Sequence, residues 1–292
     1  MVTYKLGWLR DLPDFRDFDP ANSAKTKAVG VRSEPRKAVT RAAAAEYLEQ
    51  KTVAAPARSE IDLSIGFPPI EDQGDLGSCT AHAGTGLLEY YELQAFGSYV
   101  EASRLFLYKV TRNLLGWTGD TGAYLRTTMK AMALFGVTTE TRIPYVLSRY
   151  EEEPSAFDYA YASNYQSISY FRLDQTGSTP QAVLAKIRAY TSAGFPSMFG
   201  FTLYNYGNQL GEIAFPSAND AAIGGHAVVV AGYDDNRQIG NHKGALKIRN
   251  SWGLDWGQQG YGWLPYEYVL TGLAVDFWSL FRAEYIGNGL FA

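Results

Sequence analysis

The chain carries one cysteine, Cys79, in 292 residues, so no intramolecular disulfide can hold its fold together. Stability has to come from an apolar core, and a hydrophobic share of 46% against 19% charged residues supplies the material for one. This length fits one large domain or two small ones. The formal net charge of −4 argues against a general nucleic-acid binder. That charge is unevenly placed. Residues 1–60 hold 11 Lys/Arg and 8 Asp/Glu, a net of +3, whereas residues 61–292 hold 15 and 22, a net of −7. A basic N-terminal stretch of this kind either docks on the acidic body or remains a solvated tail. No run of about 18 apolar residues is present to span a membrane. Met1 to Asp11 lacks the apolar centre of a secretory signal. With no disulfide framework either, a cytoplasmic location is expected.

Residues 1–20 mix Trp8 and Phe15 with charges and Pro13, and read as an extended segment lying on something. Residues 21–60 are rich in Ala, Lys and Arg and poor in large apolar groups. They read as a linker or a mobile leader, with a short helix over 42–48 that would bury little. Composition shifts at Ile61, where a compact domain is expected to begin and run through residues 61–292. A helix is expected from Ser78, capped by that serine and stopped by Gly97. Further helices are expected over 103–115, 122–135 and 180–193, each followed by a glycine. Strands are expected over 197–201, 226–231, 245–249 and 261–264. Helices first and strands later predict an α+β fold, with a helical lobe at about 78–160 and a strand-rich lobe at about 165–285 facing each other across a cleft.

Cys79 follows the glycine-bearing run Gln73-Gly74-Asp75-Leu76-Gly77-Ser78 and would open a helix. A thiol at a helix N-terminus, next to an imidazolium, has its pKa lowered and becomes a nucleophile, although a lone cysteine is more often buried and inert. His226 lies 147 positions later at the start of an apolar run, Gly224-Gly225-His226-Ala227-Val228, and is the candidate acid and base. His82, three residues after Cys79, cannot easily face the thiol from an opposite wall, and His242 sits in a polar turn. Asn250, in Arg249-Asn250-Ser251-Trp252-Gly253, would accept a ring N–H from His226 and aim its other nitrogen at Cys79. Trp252 would shield that hydrogen bond from water. The later placement of Asn250 is attributed to a polar loop over 234–243. Gln73, six residues before Cys79, would join the Cys79 backbone N–H in holding a developing oxyanion.

Three segments in this order, Gln73-Gly-x-x-x-Ser-Cys79-x-Ala, Gly225-His226-Ala-Val and Asn250-Ser-Trp-Gly-x-x-Trp256-Gly-x-x-Gly-Tyr261, resemble the papain-like cysteine peptidases over roughly residues 61–285. The resemblance implies a two-lobed fold, a helical lobe with Cys79 and a β-barrel-like lobe with His226 and Asn250. It implies hydrolysis of peptide bonds through a thiol acyl-enzyme. It also implies substrate contacts at Gly122, Ala123, Ala227, Leu125, Trp252 and Trp256, of which Ala227 and Leu125 would favour an apolar side chain at the second residue before the scissile bond. Thr80 stands where the family usually has an aromatic, and Leu76 replaces a cysteine that normally forms a disulfide. The leader of about 60 residues is shorter than the family's usual helical pro-domain and resembles that of compact prokaryotic-type members.

The expected partners are a peptide or protein substrate and the chain's own N-terminal segment as an intramolecular inhibitor. No cofactor, metal, nucleic acid or membrane is expected, and the protein is expected to act as a monomer. One cysteine and three scattered histidines offer no metal-ligand spacing. Two other readings use the same residues. An amine attacking the thioester would give transamidation, and a non-catalytic relative would hold a peptide without cutting it.

Overall fold

The computed structural model describes residues 4–14, 17–18, 41–54, 58–165 and 169–281. Residues 21–40 of the Ala-, Lys- and Arg-rich stretch read over 21–60 therefore lie outside the described residues, as does everything after Phe281. The strands are β1 (Trp8–Leu9), β2 (Glu60–Asp62), β3 (Ala123–Tyr124), β4 (Ser169–Arg172), β5 (Ser197–Leu203), β6 (Gly224–Ile239), β7 (His242–Arg249), β8 (Tyr261–Pro265) and β9 (Ala274–Phe281). The α-helices are α1 (Arg41–Ala54), α2 (Cys79–Phe96), α3 (Arg104–Leu115), α4 (Leu125–Phe135), α5 (Ala156–Ala162), α6 (Pro180–Ser192) and α7 (Glu267–Leu270). The chain is an α+β protein whose helices α2 to α5 precede most of an antiparallel sheet.

The central helix α2 is buried on all sides, from Cys79 through Tyr91. A helix apolar all round belongs in a core, and α2 packs against α3 and α4 on one side and β6 on the other. Small residues make that approach possible: a Cβ at Gly84 would stand 3.1 Å from Thr128, and one at Gly86 would stand 3.0 Å from Arg249. Ser78 does not cap α2 with its side chain. Its hydroxyl is drawn instead to the Tyr145 hydroxyl at 2.6 Å. Ser103, Ser155 and Thr179 do cap α3, α5 and α6. The helix expected from residue 122 starts at Leu125, because Ala123 and Tyr124 are held extended as β3.

The seven-stranded sheet runs β4-β9-β5-β6-β7-β8, with β2 also paired to β6. The run Ala227-Val228-Val229-Val230-Ala231 is fully buried in β6 and pairs with β5 and β7. The stretch 234–243 is a hairpin rather than a polar loop. The ladder continues to the pair Ile239–His242, leaving a two-residue turn at Gly240-Asn241. Its side chains are polar because this end of the ladder is partly solvent-exposed.

Two further differences concern the N-terminal part. α1 is longer than the expected helix over 42–48 and is anchored rather than idle. Leu48 is fully buried, and the Tyr47 ring meets Phe195 edge-on at 6.4 Å. The segment from Tyr4 to Leu12 lies along the protein surface at the junction of the helices and the sheet, where β1 pairs in parallel with β3.

Candidate active site

Cys79 is the first residue of α2, and His226 lies on β6 with its side chain fully buried. Asn250 follows β7 directly. The Asn250 Oδ1 stands 2.8 Å from His226 Nε2 and also accepts the Ser251 backbone N–H at 2.8 Å. A backbone N–H can only donate, so the Asn250 atom is its oxygen, and His226 Nε2 must carry the hydrogen it shares. That leaves Nδ1 of His226 free of protein hydrogen bonds and buried. Trp252 stacks on the imidazole at 4.5 Å, and Phe201 meets it edge-on at 5.8 Å, so two aromatic faces keep water from the His226–Asn250 bond.

Gln73 is fully buried and rigidly held. Its Oε1 accepts the Ser251 hydroxyl at 2.6 Å, and its Nε2 donates to Leu76 O at 2.9 Å. The second Nε2 hydrogen points to the Lys5 carbonyl at 2.8 Å. Around the Cys79 sulfur stand the backbone N–H groups of Ala227, Gly7, Thr80 and Cys79 itself. The N-terminal segment therefore reaches into the same space as Gln73, Cys79 and Ala227. The structure brings Gln73, Cys79, Ala227 and the segment together, and joins His226 to Asn250 and Trp252.

Burial sets the ionisation here. Desolvation pushes the Cys79 thiol up to about 11, in spite of the four N–H groups that favour the thiolate. Desolvation likewise pushes His226 down to about 4, with the Asn250 hydrogen bond opposing it. The lowered thiol pKa expected from the helix N-terminus is thus not met in this closed arrangement. Burial thus disfavours the charged form of both groups in this closed arrangement. His82 is held away from this chemistry. Its Nδ1 faces the Ser78 carbonyl at 3.2 Å, and burial lowers it to about 3. His242 lies beside Phe215 at 4.7 Å between ring centroids and 3.7 Å from a Glu267 carboxylate oxygen.

The expected substrate contacts divide. Ala123 N donates to Gly7 O at 2.7 Å, and Gly122 has φ +73°, with room for no side chain because a Cβ would lie 2.2 Å from Gly7 O. Trp252 carries the stacked ring of Tyr4 at 4.8 Å and 8°. Trp256 meets Trp252 edge-on and donates Nε1 to Tyr206 O at 2.8 Å. Leu125 is fully buried at the start of α4 and belongs to the main core. The Trp8 ring meets a different set of residues, Gly200, Gly225 and Asp276. Sequence reading missed Gly200 and Asp276, and it missed Ser251, which fixes Gln73 and Asn250 at once. Ser251 stood inside a quoted motif, so its place was visible. Asp276 carried no local signal.

The segment is also tied by charge, in both senses. Lys5 meets Asp120 at 2.7 Å, whereas Asp11 and Asp17 meet Arg126 at 3.0 and 2.9 Å. Docking of a basic leader on an acidic body describes only the first of these.

Residues 57–272 match the family described as papain family cysteine protease, and the chain belongs to that family, whose members are hydrolases acting on peptide bonds. A cysteine protease from Xylella fastidiosa, xylellain, has the same fold, with a TM-score of 0.72, 32% identity, and coverage of 94% of this chain and 95% of that one. Bromelain from Ananas comosus, solved with an inhibitor, shares the fold at a TM-score of 0.57 and 17% identity over 77% of this chain and 99% of that one. An uncharacterised peptidase-like protein of Acanthamoeba polyphaga mimivirus is 33% identical over 72% of this chain and 68% of its own length. Digestive cysteine proteinase 2 of Homarus americanus is 26% identical, and the match spans 65% of it.

Proposed function

We propose that the protein is a cysteine-type endopeptidase held inactive by its own N-terminal segment. Residues 1–60 act as the leader and residues 61–292 as the catalytic domain. Once the segment leaves, water and substrate enter. Cys79 and His226 then exchange a proton through the free Nδ1, giving a thiolate and an imidazolium. The thiolate attacks the scissile carbonyl. The resulting oxyanion takes the N–H of Gln73 that now serves Lys5, together with the Cys79 backbone N–H. His226 returns its proton to the leaving amine, and water then hydrolyses the acyl-enzyme with His226 as base. Asn250 keeps the imidazole in the required tautomer throughout.

The observation that carries this reading is that Gln73 and Cys79 engage different peptide units of the segment. Gln73 Nε2 holds the carbonyl of Lys5, while the sulfur faces the N–H of Gly7, two residues on. Attack needs one carbonyl to meet both the donor and the sulfur. The segment therefore fits as an inhibitor rather than as a substrate. The test is the rate at which an iodoacetamide-type reagent alkylates Cys79 near pH 6, in the full chain and in a chain with the segment loosened by Trp8→Ala. Faster alkylation in the variant supports the reading. Equal rates contradict autoinhibition.

A further inference from the structure

His82 takes no part in the proton exchange with Cys79, yet it shares a small cavity with Asn250. For the centre of a water-sized sphere this cavity offers about 10 Å³, the room that one water needs. Most polar side chains around it are committed. Thr85 Oγ1 donates to Ala81 O at 3.0 Å, and Ser251 Oγ donates to Gln73 Oε1 at 2.6 Å. The Arg249 guanidinium donates to Pro68 O and Pro69 O at 2.9 and 2.7 Å. Glu71 and Glu89 both meet Arg104, at 3.2 and 3.7 Å. Among the described residues, two buried side-chain atoms of the cavity lining have no hydrogen-bond partner, His82 Nε2 and Asn250 Nδ2.

These two atoms are chemically matched. His82 Nδ1 faces the Ser78 carbonyl at 3.2 Å, which can only accept, so Nδ1 carries the ring hydrogen and Nε2 offers a lone pair. Burial lowers His82 to about 3 and so keeps the ring neutral. Asn250 Oδ1 accepts the Ser251 N–H, so Nδ2 is the donor end of the amide. One acceptor and one donor, each buried and unpaired, line a space of one water's size.

We propose that His82 is a positioning residue for Asn250, acting through one water that accepts from Asn250 Nδ2 and donates to His82 Nε2. This deepens the peptidase reading and rests on it for the effect on rate. Ser251 holds the Asn250 amide by its oxygen, and the water holds it by its nitrogen. With both in place, Oδ1 stays turned to His226 and the His226 hydrogen stays on Nε2. A reversed amide would set its NH2 against that N–H, donor against donor. It would favour the tautomer protonated at Nδ1, which cannot take the proton of Cys79.

The first test needs no turnover. It is a high-resolution crystal structure of the full chain with Cys79→Ala, and of the same chain with His82→Phe added. Expected is an ordered water within hydrogen-bond distance of both atoms in the first, and a displaced water and a turned Asn250 amide in the second. His82→Phe keeps a ring to meet Tyr145, which His82 meets edge-on at 4.9 Å, but removes the acceptor. The second test is kinetic, in full chains carrying Trp8→Ala. There His82→Phe should lower kcat by roughly five- to tenfold with KM little changed. His82→Gln, which keeps an acceptor for the water, should recover most of the loss. Added to Asn250→Ala, His82→Phe should cost little more, because the amide it positions is gone. Should His82→Phe fail to fold, His82→Leu takes its place in each comparison. The expected pair of structures together with a Trp8→Ala chain that cleaves no peptide would keep the bridge and sink the peptidase reading. No water shared by the two atoms, unchanged kcat in His82→Phe, equal losses in folded His82→Phe and His82→Gln, or a loss that adds in full to that of Asn250→Ala would overturn the proposal.

Discussion

Gln73 donates a side-chain N–H to the carbonyl of Lys5 at 2.8 Å, so the protein satisfies this buried amide with its own N-terminal segment. The other Gln73 hydrogen and its oxygen are committed to Leu76 and Ser251. In the proposed mechanism, the hydrogen given to Lys5 is the one that a substrate oxyanion takes. Trp8 and the ion pairs of Lys5 and Asp11 fix the segment on either side of that contact.

The reacting residues should act as a unit. Cys79→Ala should abolish hydrolysis of a peptide amide under reductant. His226→Ala should cost nearly as much in kcat, because neither partner is useful without the other. Asn250→Ala should cost less, since it orients the ring and does not react. Steady-state kinetics of the three variants would check the ranking, and a larger loss for Asn250→Ala than for His226→Ala would contradict it.

Ser251 offers a separate test of positioning. Ser251→Ala removes the hydroxyl that holds Gln73 Oε1 but leaves the backbone N–H that holds Asn250. A lost hydrogen bond of this kind is worth about 1 kcal/mol, so kcat should fall by roughly tenfold or less with KM little changed. Ser251→Thr, which keeps the hydroxyl, should restore most of it. A rise in KM alone would argue that the bond serves structure only.

The pH dependence of thiol reactivity should report the state of the segment. With burial holding the thiol at about 11 and the imidazole at about 4, the closed chain carries little thiolate at neutral pH. Its alkylation should be slow at pH 7 and accelerate toward alkaline pH. Trp8→Ala returns water to the site. Its alkylation should be at least about tenfold faster at pH 6 to 7 and should inflect below the ordinary thiol value of about 8.5. Superimposable profiles would contradict this.

Stability should respond to Asp276 in a direction fixed by its environment. Burial raises Asp276 to about 7 while Arg172 opposes the rise. The folded state then binds a proton that the unfolded state lacks between about pH 4 and 7, so this group's contribution is full below pH 4 and lost as pH rises through 7. His226 and His82, whose folded values are depressed by burial to about 4 and about 3, have the opposite sign and stabilise toward higher pH. Asp276→Asn removes one opposing proton. Its unfolding free energy should climb with pH across 4 to 7 more steeply than that of the parent, by up to about 1.4 kcal/mol per pH unit. Urea melts at three pH values would measure the difference in slope, and a shallower slope would contradict it.

The sequence carried much of this molecule because its chemistry is local. A cysteine at the start of an apolar helix, a histidine opening a valine run and an asparagine after a third segment are each read within a few residues. Helix ends at Gly97 and Gly116 were legible because glycine alone takes the left-handed turn there at no steric cost. The hairpin at Gly240-Asn241 was hidden because polar strand residues facing solvent look like loop. β1 and β3, two residues each, carry no periodicity to detect. Leu48 was misjudged because one buried leucine on an alanine-rich helix is invisible to composition. Asp276 was out of reach for a deeper reason. Its role arises from a register shift against β5 and from a tryptophan 268 positions away, and neither leaves a trace beside it.

The most direct test of the central claim is hydrolysis of a fluorogenic peptide amide under reductant by the full chain, by Trp8→Ala and by Cys79→Ala, each first shown to be folded by circular dichroism. Low activity in the full chain that rises at least about tenfold in Trp8→Ala and vanishes in Cys79→Ala is the predicted result. Full activity in the unaltered chain with no gain in Trp8→Ala, or activity that survives Cys79→Ala, would contradict a thiol peptidase restrained by its own N-terminal segment.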